Sequence, residues 1–529
     1  MRLDRMMLLL VVVARTANAD PAAWTPIFKD FTATTPGCAI GVEQAGRAAE
    51  FSSFGLADLE HHVTITPGTV FEAGSVSKQF TAASLLILVN EGRVALSDDI
   101  RRYLPELPDY GTAITIAELM AHTSGLRDWG EIEEIAGWPR SERLYSNSDV
   151  LAITARQRAV NFKPGSRWSY SNTGYNLLAM IIERVSGKTF QEYSREHLFE
   201  PLGMAHTSWR DNFRRVVDDR AIGYRRASGA FEQAMPFENA IGHGGLLTTV
   251  GDLLLWNRAL TEGKLGPFVT EHLQRPAVLA SDAPIGYAGG LFLSRYREHA
   301  EVAHDGSTAG YRAWLGRYPD AGLSIALLCN SAEAMAGRLA HAVADQTLGG
   351  PPLLAEPSAP LSEARRWAGW WVDDRNGLAL HLVVDGSAVR ADGGRALVAS
   401  SGKGFGIAAD HFGLRADGRI ERAERGDVVT YSRAREFAPG MRDLEAVVGT
   451  YTSAEAGTRF RVSMRAGSLV MAAEDRPDSA APLTPAYRDG FIYKEGMVRL
   501  VRGAQGGIVA LRLSSDRIWD LRASRLNPR

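Results

Sequence analysis

The sequence contains very little cysteine, with only Cys38 and Cys329 among its 529 residues. This scarcity excludes a disulfide-rich scaffold and a cysteine-based zinc cluster. The histidines show no His-Glu-x-x-His spacing, so a metal hydrolase has no support. We therefore expect neither a metal nor any other cofactor.

An excess of charge of one sign is also lacking, since 59 Lys and Arg residues face 61 Asp and Glu residues. This balance gives no reason to expect nucleic acid or an anionic membrane as a partner. Beyond the first residues, no apolar run is long enough to span a bilayer. The expected partner is a small-molecule or peptide substrate, and the sequence leaves open whether the chain forms a homodimer.

The first nineteen residues have the pattern of a signal peptide. Arg2 and Arg5 form a basic start, residues 6–14 form a short apolar run, and Ala17-Asn18-Ala19 supplies the small-x-small cleavage pattern. We expect cleavage before Asp20 and a periplasmic or secreted mature chain. The alternative is an uncleaved anchor helix.

Residues 20–349 mix predicted strands with predicted helices, as in an α+β domain. Helices are predicted at 75–90 and 249–260, and strands at 38–43, 311–318 and 323–328. Residues 350–361 hold four prolines without an apolar period, which indicates a linker.

After the linker, short alternating segments are separated by Asp-Gly and Gly-Gly turns, a pattern typical of all-β structure. Gly369-Trp370-Trp371 near the start of this region resembles Gly449-Thr450-Tyr451 further on. The repeat predicts two small antiparallel β-barrels, over residues 362–440 and 441–529. One larger β domain is the alternative.

Ser75 and Lys78 form a Ser-x-x-Lys motif at the start of a predicted amphipathic helix. A serine hydroxyl needs a base before it can act as a nucleophile. A lysine one helical turn away can be that base if burial keeps it neutral. Ser400 and Lys403 have the same spacing, but their Gly-rich surroundings do not favour a helix.

Tyr170-Ser171-Asn172 is a second candidate element, on a predicted loop before an apolar helix. The Tyr170 hydroxyl can relay protons to or from Ser75, and the Asn172 amide can orient the lysine and bind a substrate carbonyl. Tyr145-Ser146-Asn147 repeats the triplet, and we prefer Tyr170 because ordered elements flank it.

His304-Asp305-Gly306 is a third element, just before a predicted strand along one wall of the site. Gly306 leaves room for close approach of a substrate. The backbone N–H of Ser307 can form an oxyanion hole together with that of Ser75. His243-Gly244-Gly245 is a competing motif that precedes a predicted helix.

These three elements, in this order, resemble the penicillin-recognising serine hydrolases: class C β-lactamases, D-alanyl-D-alanine carboxypeptidases, D-aminopeptidases and related esterases. The resemblance spans about residues 36–330 and implies a β-lactamase/transpeptidase-like domain, with an antiparallel sheet flanked by helices. It implies Ser75, Lys78 and Tyr170 as catalytic residues. The additional barrels make the layout most similar to that of the D-aminopeptidases.

The resemblance does not fix the substrate. Where class C β-lactamases have lysine in the third motif, this chain has His304, as in the carboxypeptidase and D-aminopeptidase branches. The first hypothesis is a hydrolase of D-amino-acyl amides or peptides that forms an acyl-enzyme on Ser75. The alternatives are an esterase, a β-lactamase or a carboxypeptidase with the same residues, and a penicillin-binding sensor without turnover.

Two further expectations depend on the same resemblance. Cys38 and Cys329 lie on strands that are neighbours in the family's sheet, and we expect two buried free thiols rather than a bridge. In the D-aminopeptidases a loop of the last domain narrows the active site. The candidate here is residues 473–487, where Glu474, Asp475 and Asp478 would select substrates with a free amino group. The alternative is an ordinary solvated surface turn, which such acidic, proline-containing stretches usually form.

Overall fold

The computed structural model describes residues 21–349, 365–385, 388–391, 396–400, 404–407, 410–424 and 427–526. The predicted signal peptide, residues 1–19, and the predicted linker, residues 350–361, lie outside these ranges. Within them, no helix is both long enough and apolar enough to cross a membrane.

The helices are α1 (Pro21–Trp24), α2 (Ser77–Asn90), α3 (Ile116–Met120), α4 (Trp129–Ile135), α5 (Asn147–Arg156), α6 (Asn172–Ser186), α7 (Phe190–Ser194), α8 (Glu200–Leu202), α9 (Val250–Glu262), α10 (Pro267–Gln274), α11 (Ala336–Leu348) and α12 (Met441–Val447). Tighter or wider turns occupy Gly74–Val76, Ile100–Arg102 and Arg195–Phe199.

The strands of the first part are β1 (Cys38–Gln44), β2 (Glu50–Phe54), β3 (Leu56–Asp58), β4 (Val63–Thr64), β5 (Phe71–Glu72), β6 (Ser208–Trp209), β7 (Tyr224–Ala227), β8 (Ala230–Gln233), β9 (Leu246–Thr248), β10 (Phe292–Tyr296), β11 (His299–Thr308), β12 (Tyr311–Tyr318) and β13 (Leu323–Cys329).

The remaining strands are β14 (Gly369–Asp373), β15 (Ala379–Asp385), β16 (Ala388–Ala391), β17 (Ala396–Ser400), β18 (Gly404–Ile407), β19 (Asp410–Leu414), β20 (Ile420–Glu424), β21 (Asp427–Arg433), β22 (Gly449–Ser453), β23 (Thr458–Arg465), β24 (Ser468–Ala473), β25 (Arg476–Tyr487), β26 (Gly490–Tyr493), β27 (Gly496–Arg502), β28 (Ile508–Ser514) and β29 (Leu521–Arg525).

A six-stranded antiparallel sheet in the order β10-β11-β12-β13-β1-β2 forms the centre of the first part. Alternate residues of a strand face opposite sides. Cys38 and Ile40 pack with α1 and α11, whereas Ala39 between them belongs to the core around α2, α6 and α9. The sheet is therefore covered by helices on both faces.

Helix α2 is buried nearly all around, and it packs against α6 and α10. The prediction that it is amphipathic is wrong, since ten consecutive residues from Ser77 to Leu86 are buried. Such a helix belongs in the centre of a core. The predicted start is also shifted, because Ser75 lies in the turn Gly74–Val76 rather than in the α-helix.

Cys38 and Cys329 form a disulfide, so the expectation of two free thiols is wrong. They are directly opposite each other in the antiparallel pair β1–β13, and their Cα atoms are 4.0 Å apart. Direct antiparallel partners come closest at the positions without backbone hydrogen bonds. A pairing across 291 residues follows from strand register, which the cysteine spacing does not reveal.

Strands β14–β21 and β22–β29 form two closed antiparallel barrels, as the repeat predicted. Each barrel has its own apolar interior, around Trp371 and Ile420 in the first and around Phe460 and Leu511 in the second. The apolar cluster of the second barrel continues into the first part of the chain, where it includes Trp129 of α4. This shared cluster docks the second barrel on the face of the molecule that carries the site.

Candidate active site

The turn that carries Ser75 lies directly against strand β11. Gly74 has a φ of +51°, and a Cβ atom there would lie 2.7 Å from the backbone nitrogen of Ser307. A side chain at this position is therefore disfavoured by both the backbone conformation and the space. Likewise, a Cβ on Gly306 would lie 2.0 Å from the carbonyl oxygen of Ala73. Both glycines allow the backbone of Ser307 to approach the turn of Ser75.

The Lys78 amine is fully buried at the first turn of α2, next to Ser75. Its Nζ lies 3.3 Å from Ser75 Oγ, 2.9 Å from Asn172 Oδ1 and 2.6 Å from the carbonyl oxygen of His243. Burial lowers the pKa of Lys78 well below its usual value, and the positive charge of Arg517 lowers this pKa further.

These three contacts suit a neutral lysine. The oxygens of Asn172 and His243 can only accept hydrogen bonds, so they take the two N–H groups of a neutral amine. The lone pair that remains is then available to the hydroxyl proton of Ser75. The arrangement can thus transfer the proton of Ser75 to Lys78.

Tyr170 occupies the short segment before α6, above the Lys78 amine. Lys78 Nζ lies 4.8 Å from the centre of the Tyr170 ring. Burial raises the pKa of the Tyr170 hydroxyl, whereas its hydrogen bond with Ser75 and the charge of Arg517 act in the opposite direction. The hydroxyl therefore stays protonated at neutral pH and touches the nucleophile, as a proton relay requires.

Helix α6 begins at Asn172, and Asp128 holds the backbone of Asn172 in place. The backbone N–H of Asn172 donates to Asp128 Oδ2 at 2.7 Å. The other carboxylate oxygen of Asp128 accepts the N–H groups of Gly130 and Glu131 at the start of α4. One buried carboxylate thereby joins two helix starts and sets the position of the amide that receives the Lys78 N–H.

His304 lies within β11 rather than just before a strand, and its side chain is buried. Its Nδ1 lies 2.5 Å from the carbonyl oxygen of Asp305, so Nδ1 carries the hydrogen. Nε2 lies 3.4 Å from the Tyr287 hydroxyl. The ring also stacks on Phe292, with 4.6 Å between centroids. His304 is a buried aromatic wall residue in this position.

His122 supports the Tyr170 segment. Its Nδ1 accepts the backbone N–H of Ser171 at 3.2 Å, and its ring lies 4.3 Å from the ring of Tyr170. Its Nε2 lies 3.1 Å from the Tyr287 hydroxyl. Tyr287 therefore contacts both His122, which supports the Tyr170 segment, and His304.

The segment between β28 and β29, residues 515–520, reaches the site from the second barrel. The carbonyl oxygen of Arg517 accepts hydrogen bonds from Asp128 N at 3.3 Å and from Asn161 Nδ2 at 2.9 Å. Asn161 Oδ1 accepts the backbone N–H of Trp519 at 2.8 Å. These bonds hold the guanidinium of Arg517 over Tyr170, 4.9 Å from the ring centre. Sequence reasoning missed this segment, because no motif distinguishes it.

The cleft over Ser75 has a volume of about 450 Å³ and is enclosed by all three parts of the chain. Its charged lining residues are Arg140, Asp305, Arg375, Arg422, Asp516 and Arg517. A second cavity, of about 750 Å³, shares Arg140, Asn172, Ser307, Thr308, Asp516 and Arg517 with it. The two cavities are therefore adjacent.

Residues 473–487 are not a loop over the site, and this expectation is wrong. Arg476–Tyr487 is strand β25 of the second barrel, paired with β24 and β26. Glu474 is paired with Arg461 and Asp478 with Arg476, and Asp475 accepts the Thr458 hydroxyl. None of the three acids lines the cleft.

Most residues of the competing motifs do not belong to the site. Tyr145 is buried and donates to Trp138 O and Glu133 Oε2, at 2.7 and 3.0 Å. Ser400 lies in β17, and Lys403 is outside the described residues. His243 does contribute, through its carbonyl oxygen, which the motif search could not show. The predicted site residues do come together; they are Ser75, Lys78, Tyr170, Asn172, His304, Gly306 and Ser307.

Among the described residues, only Asp58, Glu60 and His61 bring carboxylate and imidazole ligand atoms within 4.8 Å of one another. This cluster is largely exposed and does not line the cleft. The cleft itself presents the hydroxyl of Ser75 next to the buried amine of Lys78.

Residues 24–348 match the family model described as Beta-lactamase. The chain belongs to this family. It is a β-lactamase-related serine hydrolase, and the predicted fold of a β-lactamase-like domain followed by barrels is confirmed.

Several named proteins are similar to this chain at low sequence identity. A D-aminopeptidase of Cereibacter sphaeroides is 24% identical over 446 residues, which cover 83% of this chain and 82% of the relative. The octameric penicillin-binding protein homologue from Pyrococcus abyssi has a TM-score of 0.54 at 24% identity, over 78% of this chain and 98% of that one. The D-amino acid amidase from Ochrobactrum anthropi SV3 has a TM-score of 0.53 at 25% identity, over 62% of this chain and 97% of that one.

Proposed function

We propose that the protein is an exported serine hydrolase that cleaves D-amino-acyl amides or peptides through an acyl-enzyme on Ser75. The observation that carries this proposal is the environment of Lys78. Its amine is buried, has a lowered pKa, and lies 3.3 Å from the Ser75 hydroxyl with its other two contacts on carbonyl oxygens. Such an amine is a base for one proton donor, and that donor is Ser75.

In the acylation step the proton of Ser75 moves to Lys78 while Oγ forms a bond to the substrate carbonyl carbon. The backbone N–H groups of Ser75 and Ser307 stabilise the negative charge that develops on the carbonyl oxygen. The bond from carbon to the leaving nitrogen then breaks. The Tyr170 hydroxyl gives its proton to that nitrogen and is reprotonated from Lys78.

In the second step a water molecule attacks the ester on Ser75. Lys78 is neutral again after acylation, so it can take the proton of this water through Tyr170 or directly. The C–O bond to Ser75 breaks and Oγ regains a proton. The free acid leaves, and each residue returns to its starting protonation state.

The preference for D-amino-acyl substrates rests on the relatives rather than on a contact. Relatives are named D-aminopeptidase and D-amino acid amidase. The cleft of about 450 Å³ over Ser75, with a cavity of about 750 Å³ next to it, has the size of a small-ligand or short-peptide site. His304 in the place of a lysine favours these branches over β-lactam hydrolysis.

Export is supported by the disulfide between Cys38 and Cys329, together with the predicted signal peptide. Disulfides persist in oxidising compartments such as the periplasm and are rare in the cytosol. Fractionation of cells that express the full chain tests this proposal. The expected result is a periplasmic or secreted product that begins at Asp20, and a cytosolic product with Met1 retained would contradict it.

The activity is tested with D-alanine p-nitroanilide, its L isomer, p-nitrophenyl acetate and nitrocefin, with mass spectrometry of the quenched enzyme. The expected result is turnover of the D-anilide above the L isomer, with an acyl adduct on Ser75. Ester turnover alone would favour the esterase alternative, and nitrocefin turnover the β-lactamase. A stable β-lactam adduct on Ser75 without turnover of any substrate would identify the sensor.

A further inference from the structure

The wall of the cleft opposite the nucleophile is built by the two barrels. Each barrel contributes three lining residues: Arg375, Asn376 and Arg422 from the first, and Asp516, Arg517 and Trp519 from the second. Three of these six side chains are arginines, and one is an acid. This wall therefore presents more positively than negatively charged side chains to the cleft.

Arg375 is held rigidly on this wall. Asp373 accepts from its Nε at 3.1 Å and from its terminal nitrogen at 2.8 Å. The guanidinium also stacks over the ring of Trp519, 4.9 Å from the ring centre. This stack connects the first barrel to the second. A guanidinium fixed in this way loses little conformational freedom when it binds a further partner.

Arg517 keeps binding capacity despite two nearby carboxylates. Its nitrogens lie 3.5 Å from Glu131 Oε1 and 4.0 Å from Asp128 Oδ2. A hydrogen bond between a guanidinium and a carboxylate is normally about 2.7–2.9 Å long. The side chain is 36% exposed, and it faces Tyr170. Its charge is thus directed at the reacting region.

Acidic side chains are fewer than arginines in the lining of the cleft. Besides Arg375, Arg422 and Arg517, the lining includes Arg140 on the side of the catalytic domain, where Glu238 holds it. The lining acids are Asp305 and Asp516. The acids Asp373, Glu131 and Glu238 contact these arginines but do not line the cleft. The lining surface therefore carries more positive than negative side chains, and such a concave surface attracts anions. Arginine in particular matches the two oxygens of a carboxylate.

We propose that the barrel wall formed by Arg375, Arg422 and Arg517 binds a carboxylate of the substrate. This inference rests on the proposed function and narrows it to substrates that carry a free carboxylate. It replaces the expectation of an acidic loop that selects a free amino group. The carboxylate can belong to the leaving group, as in a peptide with a free C-terminus, or to the acyl side.

Two matched substrate pairs distinguish these sources. D-Ala-D-Ala and its C-terminal amide differ only in a carboxylate on the leaving side. N-succinyl- and N-acetyl-D-Ala p-nitroanilide differ in a carboxylate on the acyl side. We expect the carboxylate member of one pair to have a kcat/KM about tenfold or more above its neutral partner, an advantage that declines with added salt.

Substitution tests the assignment to the barrels. Arg422→Gln and Arg517→Gln should each move the ratio of kcat/KM within the favoured pair toward one. Arg419→Gln is the matched control, because Arg419 is exposed in the same barrel, pairs with Asp417 and does not line the cleft. It should leave the ratio unchanged.

Binding gives a second readout that does not need turnover. Ser75→Ala protein is titrated calorimetrically with the members of both pairs, and the carboxylate member should bind more tightly. Equal kcat/KM values and equal binding within both pairs would overturn the carboxylate site while leaving the hydrolase proposal intact. A preference in binding, without hydrolysis of any member and without an adduct on Ser75, would support the site and overturn the proposed function.

Discussion

The guanidinium of Arg517, in the second barrel, lies 4.9 Å from the centre of the Tyr170 ring in the catalytic domain. The two residues are 347 positions apart in the chain. The positive charge of Arg517 also lowers the pKa of Lys78, second only to burial. A barrel that contains none of the motif residues therefore influences the protonation of the base.

Arg517→Gln should move the acid limb of the kcat/KM profile to higher pH. The reaction needs neutral Lys78, and loss of the nearby positive charge raises the pKa of Lys78. More alkaline conditions are then needed for the same neutral fraction. The measurement is kcat/KM against pH with a substrate that does not ionise in the range.

Arg512→Gln is the control, because Arg512 lies on β28, pairs with Asp520 and does not line the cleft. A limb that stays in place or moves to lower pH would exclude this influence.

Ser75→Ala should abolish turnover and leave the folded structure intact. The change removes one half-buried hydroxyl, whose contacts are with Lys78 and Tyr170. Lys78→Ala should have nearly the same effect on the rate, and the double variant should be no worse than either, because the residues act as one unit. Steady-state rates and thermal unfolding measure both aspects.

Ser400→Ala is the matched control for Ser75→Ala, since Ser400 belongs to the other Ser-x-x-Lys motif and lies in β17. It should keep full activity. Loss of turnover in Ser400→Ala with turnover retained in Ser75→Ala would refute the choice of motif.

Tyr170→Phe should lower kcat by about a hundredfold or more, because it removes the hydroxyl that relays the proton. Tyr145→Phe should instead leave kcat unchanged and lower the free energy of unfolding by about 1–2 kcal/mol, since the Tyr145 hydroxyl makes two buried hydrogen bonds. Kinetics and denaturant unfolding of both variants separate the two effects. Equal losses of kcat would show that Tyr170 has no special role.

The Cys38–Cys329 disulfide should stabilise the fold without affecting catalysis. Replacing both cysteines by alanine should lower the free energy of unfolding by about 2–5 kcal/mol. The rate per folded molecule should not change, because neither cysteine lines the cleft. Thiol titration of the denatured, unreduced protein should find no reactive thiol, and two after reduction. Two thiols before reduction would contradict the disulfide.

The local parts of the site were predictable from the sequence because they depend on neighbours along the chain. The spacing of Ser75 and Lys78 places both on one side of a helix start, and the apolar run after Asn172 predicts α6. Thr249 predicts the start of α9, and its hydroxyl does accept the Asp252 N–H. The repeat in the last part of the chain predicted two barrels. The structure shows that eight strands close each of them.

The predictions that were wrong concern contacts between segments that lie far apart in the sequence. The disulfide depends on the register between β1 and β13, and a shift of one residue would separate Cys38 from Cys329. The acidic, proline-containing stretch around Asp478 has the composition of a loop, yet barrel closure extends it as β25. Tertiary pairing there overrides local preference.

The sequence by itself determined the type of chemistry, because a nucleophile and its base lie within one helical turn and their spacing is covalently fixed. Only the tertiary structure decided which surface faces them. Arg375, Arg422 and Arg517 carry no motif, and they reach the cleft because the two barrels close and the shared apolar cluster docks the second one beside α4. Burial also decides that Lys78 is a base, since a lysine in water would stay charged.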